Sequence, residues 1–167
     1  EIAVTEENWA RFVAGYLARL PQSLARHEGR ILPGIEGLLE QLAARNDVAV
    51  GLLTGNIKAG AYQKLAHFGL ADYFSFGGFG DQHLDRNEIA AAAARAVHSR
   101  FDGVTHVLVI GDTEHDIRCA RAIDATAVGV VTGFTDRDIL VASQPDLLLD
   151  DLSDPSPVLE LLGPCQL

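Results

Sequence analysis

The sequence predicts an α/β protein built on an open, doubly wound parallel sheet. Three observations lead there. Short apolar runs of strand length recur along the chain: 48–53, 106–110 and 126–131. They are continuous rather than alternating, as expected of strands covered on both faces. Between them lie stretches with helical spacing, and strands joined by helical crossovers form parallel sheets.

The elements follow in order. Residues 5–26 read as helix. Thr5 is a plausible N-cap with Glu6, Glu7 and Asn8 behind it. Trp9, Phe12, Val13, Tyr16, Leu17 and Leu20 then recur at spacings of three and four, which is one helical face. Pro21 is expected to interrupt this helix, with a second short piece to about 27. Residues 29–34 form a turn in which Pro33 is set to open a helix over 34–45. The strand 48–53 ends at Thr54-Gly55-Asn56. A helix over 58–68 follows, closed by Gly69 at its C′ position. Phe74-Ser-Phe76 is a short strand and Gly77-Gly78-Phe79-Gly80 a loop. The Ala-rich stretch 88–99 is helical, 106–110 a strand, 117–123 a helix and 126–131 a strand. The chain finishes with a helix over 136–142, a strand at 147–149 and a helix at about 155–162.

Composition narrows the function classes. The 167 residues can bury a core, and 48 % apolar with 22 % charged residues is ordinary for a soluble domain. The net charge of −10 disfavours nucleic acid and anionic membranes as partners. No apolar run reaches the length of a membrane span, and the first residues carry no signal-peptide pattern. Cys119 and Cys165 are far apart, in no metal or disulfide spacing, so a reducing cytoplasm is the expected setting. No Gly-x-Ser-x-Gly elbow and no strand-linked Gly-x-Gly-x-x-Gly is present, which leaves serine-hydrolase and dinucleotide chemistry unsupported.

In such sheets ligands bind beyond the carboxyl ends of the strands. Thr54, Gly55 and Asn56 stand after one strand, Gly111, Asp112 and Asp116 after another, and Thr132 and Gly133 after a third. Asp112 follows Val-Leu-Val-Ile-Gly directly, with Glu114 and Asp116 close behind. Carboxylates gathered at a strand tip repel one another, and bound Mg²⁺ relieves this while leaving room for water and phosphate oxygens. The alternative is that Asp112 and Asp116 only cap the next helix. The Thr54 hydroxyl with the N–H groups of Gly55 and Asn56 forms an expected anion site ahead of a helix. Arg86 stands just before a helix start, where a cation is misplaced unless an anionic ligand lies beside it. An ion pair with Asp85 or Glu88 would explain it otherwise. Lys58 is a competing cation, and His83 and His115 lie in loops that could reach a substrate.

The order of these motifs resembles the haloacid dehalogenase-like hydrolase superfamily, and its phosphoglycolate phosphatase-like members in particular. The matching text is Leu32-Pro-Gly-Ile-Glu-Gly-Leu-Leu39, Leu53-Thr-Gly-Asn56, Lys64-Leu-x-x-Phe-Gly-Leu70, Arg86 before a helix, and Val109-Ile-Gly-Asp-Thr-x-x-Asp-Ile117. It covers about 30–162. The resemblance implies that Thr54 binds the transferring phosphoryl group, Arg86 neutralises it, Asp112 is a Mg²⁺ ligand and Asp116 its supporting carboxylate. The implied reaction is Mg²⁺-dependent hydrolysis of a small phosphorylated substrate through an aspartyl-phosphate.

One departure stands out. The family's first motif, an Asp-x-Asp-Gly-Thr loop carrying the nucleophile, has no match here. Residues 1–30 contain no Asp and resemble the last part of the family's helical cap, with 31–167 as a hydrolase core lacking its first, central strand. The expectation is therefore a piece of a longer chain, in agreement with the leading Glu and the absence of Met. A non-catalytic phosphate- or partner-binding domain is the alternative. A dehalogenase is disfavoured because paired carboxylates suit a cation.

Overall fold

The computed structural model describes residues 5–81, 83–133 and 135–164; Cys165 lies outside them. The element order is helix–strand alternation after an N-terminal helix. It runs α1 Glu6–Arg26, α2 Ile35–Ala43, β1 Gly51–Thr54, α3 Lys58–His67, β2 Phe76–Phe79, α4 Arg86–Arg100, β3 Leu108–Gly111, α5 Glu114–Ala122, β4 Thr126–Val130, α6 Arg137–Ala142, β5 Leu147–Leu149 and α7 Ser156–Leu162. A single 3₁₀ turn at Ala71–Tyr73 precedes β2.

All described pairings are parallel, so the α/β class stands. The ladder, however, falls into two sets. β1 pairs with β2, and β3–β4–β5 form a separate group. Between β1 and β3 no ladder forms. The strands beside this break are less buried than the sequence predicts. β4, paired on both sides, is buried along nearly its whole length. β1 and β3, each paired on one side only, are not, and Ile110 in mid-strand is 37 % exposed.

Alternation along β4 divides the core. Val128 and Val130 join Leu38 and Leu42 of α2, Val158 of α7, and Leu152 from the segment before α7. Ala127 points the other way, to Val109 of β3 with Ile117 and Ala120 of α5, and Leu53 of β1 packs against this second cluster. α1 lies on α3, where Gly60 admits the Tyr16 ring: a Cβ there would come within 2.7 Å of it.

Several element boundaries differ from the sequence reading: β1 starts at Gly51 rather than 48, β3 at Leu108 rather than 106, α4 at Arg86 rather than 88 and α5 at Glu114 rather than 117. Two further differences concern Pro21 and the run 77–80. Pro21 does not interrupt α1, which is continuous through it. Likewise, the run 77–80 is mostly strand rather than loop, because β2 occupies Phe76–Phe79 and begins where 74–76 was expected to end. Its glycines are there for close approach. A Cβ on Gly77 would strike the Leu52 carbonyl, and one on Gly78 the Ile89 carbonyl of α4.

At the opposite end of β4 from the strand tips, Arg121 forms an ion pair with Asp146 at 2.6 Å, and Asp146 also accepts from the Ala127 N–H at 2.7 Å. These bonds, that of Arg121 foremost, hold the Asp146 carboxyl below the usual carboxylate range. A carboxylate depressed in the folded state contributes stability above its unfolded pKa, and that contribution is lost as pH falls through the folded value. Acid titration of the Asp146→Asn variant should therefore show a smaller loss of melting temperature below about pH 4 than the parent. An equal loss in both would remove Asp146 from that role.

Candidate active site

The site is built at the carboxyl ends of β1 and β3 and the starts of the helices that follow. Thr54 closes β1. Its Oγ1 accepts from the Asn56 N–H at 3.1 Å and from Asn56 Nδ2 at 3.1 Å. Asn56, expected as an anion ligand through its N–H, thus has that N–H committed to Thr54. The turn is braced from β2: the Gly80 N–H donates to the Asn56 carbonyl at 2.9 Å, and a Cβ on Gly80 would collide with the Gly55 carbonyl.

Arg86 opens α4, with Asp85 as N-cap accepting from the Asn87 N–H at 2.7 Å. Its guanidinium lies over Gly55, where a Cβ would stand 3.7 Å from Nη2. Its partner is neither Asp85 nor Glu88 but Asp116 across the cleft, Nη1 to Oδ1 at 3.5 Å. The Arg86 side chain remains 46 % exposed and so can reach a ligand.

Asp116 serves the helix as well as the site. Its Oδ2 accepts from the Thr113 N–H at 3.0 Å and the Thr113 hydroxyl at 2.7 Å, completing a capping box on α5. The capping expectation for Asp116 therefore holds alongside its ion pair. Thr54, Gly55, Arg86 and Asp116 line one cleft with Leu53, Ile89 and Cys119. Cys119 is buried, and its thiol donates to the Arg86 carbonyl at 3.3 Å, tying α5 to the start of α4. Burial foremost, and then the charge of Asp116, pushes that thiol up, so it stays protonated as a donor.

Asp112 is placed differently. It stands at the tip of β3, half-buried, and is not among the residues lining that cleft. Its carboxylate lies against Gly133, where a Cβ would overlap Oδ2. Among the described residues its oxygens have no hydrogen-bond or ion-pair partner. Gly133 was visible in the sequence only as a small residue after a strand; its close contact with Asp112 needs the fold. Similarly, a Cβ on Gly111 would overlap Asp116. Lys58 turns away, its Nζ over the Phe79 ring at 5.7 Å. His83 pairs with Glu88 at 3.4 Å, and His115 is held between Glu114 and Arg118.

The donor set suits a hard cation in part. An unpartnered, half-buried carboxylate at a strand tip is the kind of oxygen ligand Mg²⁺ takes, and Mg²⁺ needs only one or two such protein ligands. Among the described residues no group of three or more His, Cys, Asp or Glu side chains could hold a metal by itself. No helix among them is long and apolar enough to cross a membrane.

A parallel α/β core thus carries a hydroxyl, a guanidinium and carboxylates at the carboxyl ends of β1 and β3 and the helices that follow. The chain belongs to the haloacid dehalogenase-like hydrolases: the family model matches residues 3–121. It is similar to the phosphoglycolate phosphatase of Synechococcus elongatus, with 33 % identity over 82 % of this chain and 66 % of that protein. The phosphoglycolate phosphatase of Agrobacterium fabrum is 28 % identical over 90 % of this chain and 62 % of its own length. The chain thus spans somewhat under two thirds of these relatives. Among solved structures, a predicted phosphoglycolate phosphatase from Haemophilus somnus shares the fold, with a TM-score of 0.72 at 21 % identity, covering 93 % of this chain and 68 % of that one.

Proposed function

We propose that this chain is the phosphate- and metal-holding portion of a Mg²⁺-dependent phosphatase acting on a small phosphorylated metabolite. The observation that carries the reading is the convergence of the Thr54 hydroxyl, the half-exposed Arg86 side chain and Gly55 in one cleft, with the Asp112 carboxylate, which has no partner among the described residues, at the tip of β3. Phosphoryl transfer needs charge stabilisation at the phosphoryl oxygens more than it needs covalent chemistry. Arg86 supplies fixed positive charge there. The Thr54 hydroxyl donates to a phosphoryl oxygen. Asp116 holds Arg86 over Gly55. Asp112 would hold Mg²⁺, which when bound neutralises phosphoryl charge.

The nucleophile in this reading is an Asp carried on a strand outside this sequence. Support for its position comes from the break in the sheet: β1 pairs only with β2 and β3 only with β4. Residues 1–30 belong to a helical cap and 31–167 to the hydrolase core. The relatives named as phosphoglycolate phosphatases make phosphoglycolate the first substrate to assay.

Phosphate titration of the chain tests the site without requiring turnover. Inorganic phosphate should shift the Gly55 and Thr54 amide resonances saturably, and Arg86→Ala should weaken that binding by about tenfold or more. Undiminished binding in the variant would contradict the role given to Arg86.

A further inference from the structure

Lys64 belongs to α3, two helical turns beyond Asn56, and is half-buried. Its Nζ donates to Asn56 Oδ1 at 3.0 Å. No carboxylate lies within ion-pair distance of it among the described residues. The Asn56 amide continues the chain, Nδ2 donating to Thr54 Oγ1 at 3.1 Å, where the Asn56 N–H also donates at 3.1 Å.

A hydroxyl has two lone pairs and one proton. Both lone pairs of Thr54 are occupied by Asn56 donors, so its proton is the only hydrogen-bonding capacity left to offer. We propose that Lys64 is a positioning residue that presets the Thr54 hydroxyl as a donor to the anion in the cleft. The proposal rests on the phosphate-site reading above.

The mechanism is control of an amide flip. Turned the other way, Asn56 would present Oδ1 to Thr54 and NH₂ to Lys64. Oδ1 would then accept the Thr54 proton and withdraw it from the cleft. The ammonium excludes this state, because it has three donors and no acceptor and would face an NH₂ group. Without the ammonium the two orientations become similar in energy and the hydroxyl loses its fixed direction.

The experiment uses the 167-residue chain with Lys64→Met and Lys64→Arg. Nuclear Overhauser contacts from the Asn56 side-chain NH₂ protons to the Thr54 side chain should be present in the parent, lost in Lys64→Met and restored in Lys64→Arg. Phosphate titration should then show affinity weakened about tenfold in Lys64→Met and nearly restored in Lys64→Arg. In a Thr54→Val background, Lys64→Met should have almost no further effect. The proposal is overturned if the amide contact survives in Lys64→Met, or if the Lys64 and Thr54 effects multiply, since Lys64 would then act as a separate charge. A parent chain that shows the Lys64-dependent contact but binds no phosphate would instead contradict the phosphate-site reading, with the amide orientation upheld.

Discussion

Asp112→Asn, made in a protein extended to include the proposed nucleophile segment, should lower Mg²⁺-dependent phosphomonoester hydrolysis by at least about a hundredfold. The carboxylate stands at the tip of β3 with no partner among the described residues. Removing its charge breaks no hydrogen bond or ion pair among the described residues, so the melting temperature should hardly move. The loss should therefore fall on metal use, with a higher Mg²⁺ concentration needed for half-maximal rate. Gly133→Ala should act in the same direction through geometry alone, because its methyl would overlap Asp112 Oδ2. A rate and Mg²⁺ requirement unchanged by Asp112→Asn would exclude Asp112 as the ligand.

The second large effect concerns the break in the sheet. β1 and β3 each have one unpaired edge, and Ile110 is exposed in mid-strand. Backbone groups on such edges are satisfied only by water, and exposed apolar edges invite another strand. An apolar strand supplied by a longer chain should pair with both. Amide exchange at 51–54 and 108–111 should then slow by at least about tenfold relative to the 167-residue chain. Exchange that is equally fast in both chains would mean that the break is not filled by the added segment.

Much of this architecture could be read from residues alone. The parallel α/β class follows from the continuous apolar runs, and β5 appears where Leu147-Leu-Leu149 placed it. Thr54 and Arg86 could be chosen by position: one follows a strand, and the other is a cation at a helix start, where the helix dipole disfavours it. What could not be read depends on neighbours distant in sequence. The glycines of 77–80 suggest a loop, yet Gly77 and Gly78 lie within β2, where the Leu52 and Ile89 carbonyls come too close for a side chain. The bond from the Asn56 N–H to Thr54 Oγ1 has no signal in the sequence. The tie from Cys119 to Arg86 spans 33 residues and has no local signal. Lys64 carries no mark of its role except its place in a motif, since the bond to Asn56 exists only once α3 is folded onto the strand-end turn.

The central claim is that these residues hold phosphate and metal for phosphoryl transfer. Its most direct test is release of inorganic phosphate from phosphoglycolate and a panel of small phosphomonoesters by the extended protein, with Mg²⁺ and with Mg²⁺ chelated. Phosphate release should require Mg²⁺ and be lost in both Asp112→Asn and Arg86→Ala. Release that persists under chelation, or that survives either substitution, would contradict that claim.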